Sequence, residues 1–105
     1  MKKWYIALML TVSALLVVGS ALAGKSSVEY GKELFNDPHL GGSTNAESCN
    51  SCHPNGEGLG KAGSNPKLSN IINQCITGPM KGEKIDGRSV EMRSLKMYIE
   101  SLGGE

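Results

Sequence analysis

The chain has 105 residues, with eleven Lys+Arg against ten Asp+Glu and a formal net charge of +1. That length allows one small domain. No basic run is present, so nucleic acid binding has no electrostatic support, and a near-neutral chain does not point to a membrane surface.

The chain opens "MKKWYIALMLTVSALLVVGSALAG". Lys2 and Lys3 make a short positive start, Trp4 to Val18 is largely apolar, and Ala21-Leu22-Ala23 fits a small-x-small cleavage site. This is the layout of a secretory signal peptide over residues 1–23, with a retained membrane anchor as the alternative. The apolar run is short for a membrane span. A single domain over residues 24–105 follows, and secretion would place it in the periplasm. Its aromatic residues are Tyr30, Phe35 and Tyr98. So sparse a set makes a thin core, and small domains with thin cores commonly lean on a disulfide, a metal or another prosthetic group.

Ser26 with Glu29 fits a capping box, and Val28, Gly31, Leu34 and Phe35 recur at helical spacing, which predicts a helix over residues 28–36. Asp37-Pro38 ends it. Residues 37–48 read as loop from their Gly, Ser, Asn and Pro content. "CNSCH" at 49–53 opens a second glycine-rich loop. Leu68, Ile71, Ile72 and Cys75 form an i, i+3, i+4, i+7 stripe, predicting a short helix with Cys75 on its buried face. Gly78, Pro79 and Asp86-Gly87 interrupt the next segment. Ser89 is a good N-cap with Glu91 in the first turn. Met92, Leu95, Ile99 and Leu102 then mark a last helix closed by Gly103-Gly104. No strand-like alternation appears. The fold class read here is all-α, three to four short helices with glycine-rich loops.

Cys49, Cys52 and His53 are the chemical centre of the sequence. Zinc would need a fourth ligand from Cys75 or His39, and adjacent Cys52 and His53 are closer than zinc-ligand pairs usually stand. A dithiol redox site needs a βαβ setting, which is absent. A plain disulfide between Cys49 and Cys52 leaves Cys75 odd and His53 unexplained. CxxCH is the attachment signature of c-type haem. One helical turn presents both sulfurs to one edge of the ring, and the next residue, His53, is the proximal iron ligand. One covalently attached haem c also agrees with export and supplies the apolar body that the core lacks.

With these residues in view, nearly the whole segment after the leader resembles the bacterial class I, mono-haem, c-type cytochromes. "YGKELFND" looks like their N-terminal helix, "CNSCH" like their attachment site and "SVEMRSLKMYIESL" like their C-terminal helix. The resemblance implies a class I cytochrome c fold wrapped around the haem, with Gly31, Phe35, Leu95 and Tyr98 at the crossing of the terminal helices. It implies a distal iron ligand in the loop before the last helix, where Met80 stands in "GPMKG". The stretch from His53 to Met80 is short for that family. "INQC", "MKG" and "SVEM" also resemble the haem domains of sulfur-oxidising cytochromes such as SoxA and thiosulfate dehydrogenase. In some of those a cysteine at the position of Cys75 ligates the iron, which makes Cys75 the alternative distal ligand. Met92 and Met97, inside the last helix, and His39, in a polar loop, are further sources of a sixth ligand.

The function read from this is single-electron transfer by a periplasmic mono-haem cytochrome, a monomer working between redox partner proteins of the periplasm or membrane. The alternatives are a haem subunit or catalytic partner in sulfur-compound oxidation, with Cys75 on the iron, and a small-molecule sensor with an open iron position. No acid–base pair or nucleophile constellation stands out apart from Cys75, so the chain is read as a carrier and not as an enzyme by itself.

Overall fold

The computed structural model describes residues 25–103. The expected signal peptide, residues 1–23, lies outside the described residues, as does Gly104. In chain order the helices are α1 (Val28–Phe35), α2 (Cys49–Cys52), α3 (Leu68–Thr77) and α4 (Val90–Leu102). Short 3-10 turns at Leu40–Gly42, Pro54–Gly56 and Ala62–Ser64 sit in the loops between them. Among the described residues there is no strand, so the fold is all-α as expected. No described helix is long and apolar enough to cross a membrane.

α1 starts at Val28 as expected, but its cap is not the Ser26 of the capping-box pattern. Ser27 is the N-cap, its hydroxyl accepting from the Tyr30 N–H at 3.0 Å. Ser26 instead accepts from Arg93 Nε at 3.5 Å, and Glu29 sits in the first turn, where the helix dipole favours an acid. Both Ser26 and Ser27 have the right chemistry for a cap, and the choice falls to the one whose backbone meets α4. The Ser27 N–H donates to the hydroxyl of buried Ser94 at 3.1 Å.

α4 begins as the sequence predicts, with the Ser89 hydroxyl accepting from the Met92 N–H at 3.0 Å. Its buried face is Met92, Ser94, Leu95, Tyr98 and Ile99. α1 crosses this face at Gly31, which is buried. A Cβ there would overlap the Ser94 carbonyl, so only glycine lets the two backbones approach this closely. One turn further on, the Phe35 and Tyr98 rings meet edge-on, 5.1 Å between centroids at 61°. That edge-to-face arrangement is favoured for aromatic pairs. The expected crossing of Gly31, Phe35, Leu95 and Tyr98 is therefore formed.

α3 packs differently from its predicted stripe. Leu68, Ile72 and Ile76 are its buried residues, while Ile71 is 39% exposed and Cys75 half-buried. The core line runs along i, i+4, i+8, and Ile71 and Cys75 occupy the neighbouring line, about 100° around the helix axis for each residue step. Periodicity located the apolar arc but not the part of it that faces the core. The chain after α3 is tied back by Asn73, whose amide donates to the Ile85 carbonyl at 3.0 Å and whose oxygen accepts from the Ile85 N–H at 2.8 Å.

Candidate functional site

The single turn of α2 is built by its own sequence. Ser48 and Ser51 form a reciprocal capping box, with the Ser48 N–H donating to the Ser51 hydroxyl at 2.9 Å. This turn sets Cys49 and Cys52 on one wall of an apolar cleft of about 710 Å³, part of it open to solvent. Cys49 is half-buried and Cys52 exposed, and both thiols are free. The remaining walls include Phe35 from α1, Leu68 and Ile72 from α3, Leu95 and Ile99 from α4, and Leu59 from the intervening loop. His53, Cys75 and Met80 line the same cleft. The structure thus brings Cys49, Cys52, His53, Met80 and Cys75 together on one cleft.

His53 ends the α2 turn, its N–H donating to the Cys49 carbonyl at 2.9 Å. Its Nδ1 lies 3.0 Å from the Glu57 carbonyl oxygen. A carbonyl can only accept, so Nδ1 is the donor, which in a neutral imidazole leaves the lone pair on Nε2. This is the arrangement that orients a ligating histidine and fixes its tautomer. The loop that delivers the Glu57 carbonyl depends on Gly56, at φ 82°, where a Cβ would collide with Leu102. Sequence reading passed over Glu57, because a backbone carbonyl leaves no side-chain signature.

Met80 is 2% exposed, and its loop crosses the chain from Gly41 to Asn45. Met92 is fully buried and belongs to the α1–α4 side of the core, and Met97 is 37% exposed. Neither lines the cleft, and neither does His39, whose side chain is 83% exposed beside Asp37. Cys75 does line it. Burial pushes the Cys49 thiol up to about 11, with Cys75 and Cys52 adding to the rise. Burial, and then Cys52, push the Cys75 thiol up as well. Among the described residues no group of three or more His, Cys, Asp or Glu side chains could hold a metal ion, so the zinc alternative finds no ligand set there.

The chain matches the di-haem cytochrome c peroxidase family over residues 25–93. It belongs to that family. Neither the curated proteins nor the solved structures gave a match. The family match covers the cleft from Phe35 to Met80 and supports a c-type cytochrome-related, haem-binding redox domain. It does not extend to the sulfur-oxidising class that "INQC" and "MKG" resemble.

Membership also corrects one expectation. Di-haem cytochrome c peroxidases are enzymes, which overturns the reading of the chain as a carrier and not an enzyme. The physical reason is that a cofactor brings the difficult chemistry with it. A search for acid–base pairs and nucleophiles among side chains passes over a site of that kind.

The residues present fit a haem. The cleft has aliphatic and aromatic walls, two free thiols with two residues between them on one helical turn, and an imidazole oriented through Nδ1 by the Glu57 carbonyl. Beside these stands the buried thioether of Met80, a neutral soft donor that needs no deprotonation.

Proposed function

We propose that this member of the peroxidase family is a periplasmic mono-haem c-type cytochrome domain that passes single electrons between redox partner proteins. Cys49 and Cys52 would hold the haem through thioether bonds, His53 would be the proximal iron ligand and Met80 the distal one. When bound, the haem supplies the one-electron couple, and Met on the iron raises its potential. The chain's own residues do the rest. Glu57 holds the His53 proton at Nδ1, and the aliphatic walls exclude water. Burial and the axial ligands together tune the potential. A peroxidase reaction consumes two electrons for each peroxide, and a single CxxCH site delivers them one at a time, which makes redox partners necessary. Localisation in the periplasm rests on the leader expected over residues 1–23 and on the attachment of c-type haem outside the cytoplasm.

The observation that carries this reading is the convergence of Cys49, Cys52, His53 and Met80 on one apolar cleft. Cys75 on the same cleft keeps a second reading in play, a sulfur-oxidising haem domain with Cys75 on the iron. Absorption and EPR spectra of the ferric protein, beside Met80→Ala and Cys75→Ala, separate the two. With Met80 on the iron, Met80→Ala is expected to change the iron spectrum and Cys75→Ala to leave it. The reverse result would overturn the assignment of Met80 and favour the sulfur reading.

A further inference from the structure

The backbone around Met80 is held at every polar group. The Met80 N–H donates to the Cys75 carbonyl at 3.2 Å. The Met80 carbonyl accepts from the N–H groups of both Thr44 and Asn45, each at 3.2 Å. The carbonyl before it, on Pro79, accepts from the Asn45 side-chain amide at 2.7 Å. The same two segments are joined further along by Glu83 N–H to Gly41 carbonyl at 2.8 Å and Thr44 hydroxyl to Lys81 carbonyl at 3.3 Å. Lys81 sits at φ 56°, the left-handed region that a lysine adopts only under constraint. The loop carrying Met80 thus combines a left-handed residue with a clasp of hydrogen bonds from residues 41–45.

We propose that Asn45 is a positioning residue for Met80, clasping the loop so that the thioether stays in the cleft. The inference rests on the reading of Met80 as distal iron ligand. Asn45 itself is exposed and lies outside the cleft lining, so it acts through the loop and touches no reacting atom. Two of the clasping groups are side chains that a substitution removes without touching the backbone, the Asn45 amide and the Thr44 hydroxyl, and the amide makes the shorter bond, 2.7 Å against 3.3 Å. The net worth of one hydrogen bond corresponds to about a three- to tenfold change in the population of the detached loop. A competing ligand reads that population directly, because its apparent affinity scales with the fraction of competent sites.

The test is imidazole binding to the ferric holoprotein, with EPR spectra and midpoint potential recorded on the same samples. Asn45→Asp keeps the shape and loses the donor; Asn45→Ala loses both. Each is expected to raise apparent imidazole affinity about three- to tenfold and to lower the potential. Asn36→Ala removes an exposed amide that bonds only within its own helix end, to the Lys32 carbonyl, and is expected to bind as wild type does. In a Met80→Ala background the Asn45 effect should vanish, since the gate it holds is gone. Wild-type affinity in both Asn45 variants would overturn the inference while leaving the ligand reading standing. The same holds for an Asn45 effect that persists in Met80→Ala. If Met80→Ala alone changes neither spectrum nor imidazole affinity, the ligand reading falls and the inference falls with it.

Discussion

The α1–α4 crossing and the cleft are two halves of one small domain built on different principles. The crossing is made of side chains: Phe35, Met92 and Leu95 are wholly buried, and Gly31 lets the helix backbones touch. The cleft has side-chain walls, but its donor atoms are placed mostly by backbone: one helical turn, several 3-10 turns and hydrogen-bonded loops present them to an apolar space. Side-chain packing is rigid and cooperative, so the crossing can serve as the frame. Loops held by carbonyls and N–H groups place sulfur and nitrogen donors where regular helices cannot. The difference implies that damage to the crossing should cost stability, and damage to the cleft should change the iron.

The largest expected effect joins the two halves. Replacing both Cys49 and Cys52 by Ser should abolish covalent attachment, so that haem separates from the polypeptide on denaturing electrophoresis. Next, Phe35→Ala removes a ring that packs on Tyr98 and also lines the cleft. It should cost about 3–5 kcal/mol of unfolding free energy in denaturant titration. Gly31→Ala pushes a methyl against the Ser94 carbonyl and should cost about 1–3 kcal/mol, with the iron spectrum unchanged. A changed spectrum there would break the division between frame and site. Met80→Leu inverts the pattern: nearly the same volume should hold the stability loss below about 1.5 kcal/mol, while loss of the thioether alters the ferric spectrum and lowers the potential.

The smallest effect is one of pH on the haem-free chain. The Cys49 thiol is pushed up to about 11 by burial, so it ionises in the unfolded chain before it does so in the folded one. Its contribution to stability is full below the ordinary thiol range and is lost as pH rises towards about 11. Urea midpoints should therefore fall across that window in the native sequence, and fall less in Cys49→Ala.

Much of this was legible in the sequence, and what was missed has a common cause. Helical spacing and Ser89 gave α4 its start, and Gly31, Phe35 and Tyr98 were readable as a crossing because packed side chains leave periodic traces. The CxxCH spacing pointed to residues 49–53, and the structure sets Cys49, Cys52 and His53 on one cleft. The choice of Ser27 over Ser26 as a cap was not readable, since the two are chemically alike and a contact with Ser94 decides. Ile71 and Cys75 fell on the cleft side of α3 because a stripe gives an arc and not an angle. Glu57 and the clasp of Thr44 and Asn45 on Met80 act through main-chain groups that every residue type carries. The enzyme class was missed because its chemistry resides in the cofactor.

The most direct measurement is the intact mass of the denatured protein purified from the periplasm of a host that matures c-type cytochromes. A covalent site at Cys49 and Cys52 predicts the mass of the polypeptide from residue 24 onward plus one haem, with the haem-bearing peptide containing residues 49–53. A polypeptide of bare mass, with both thiols free to alkylation, would contradict it.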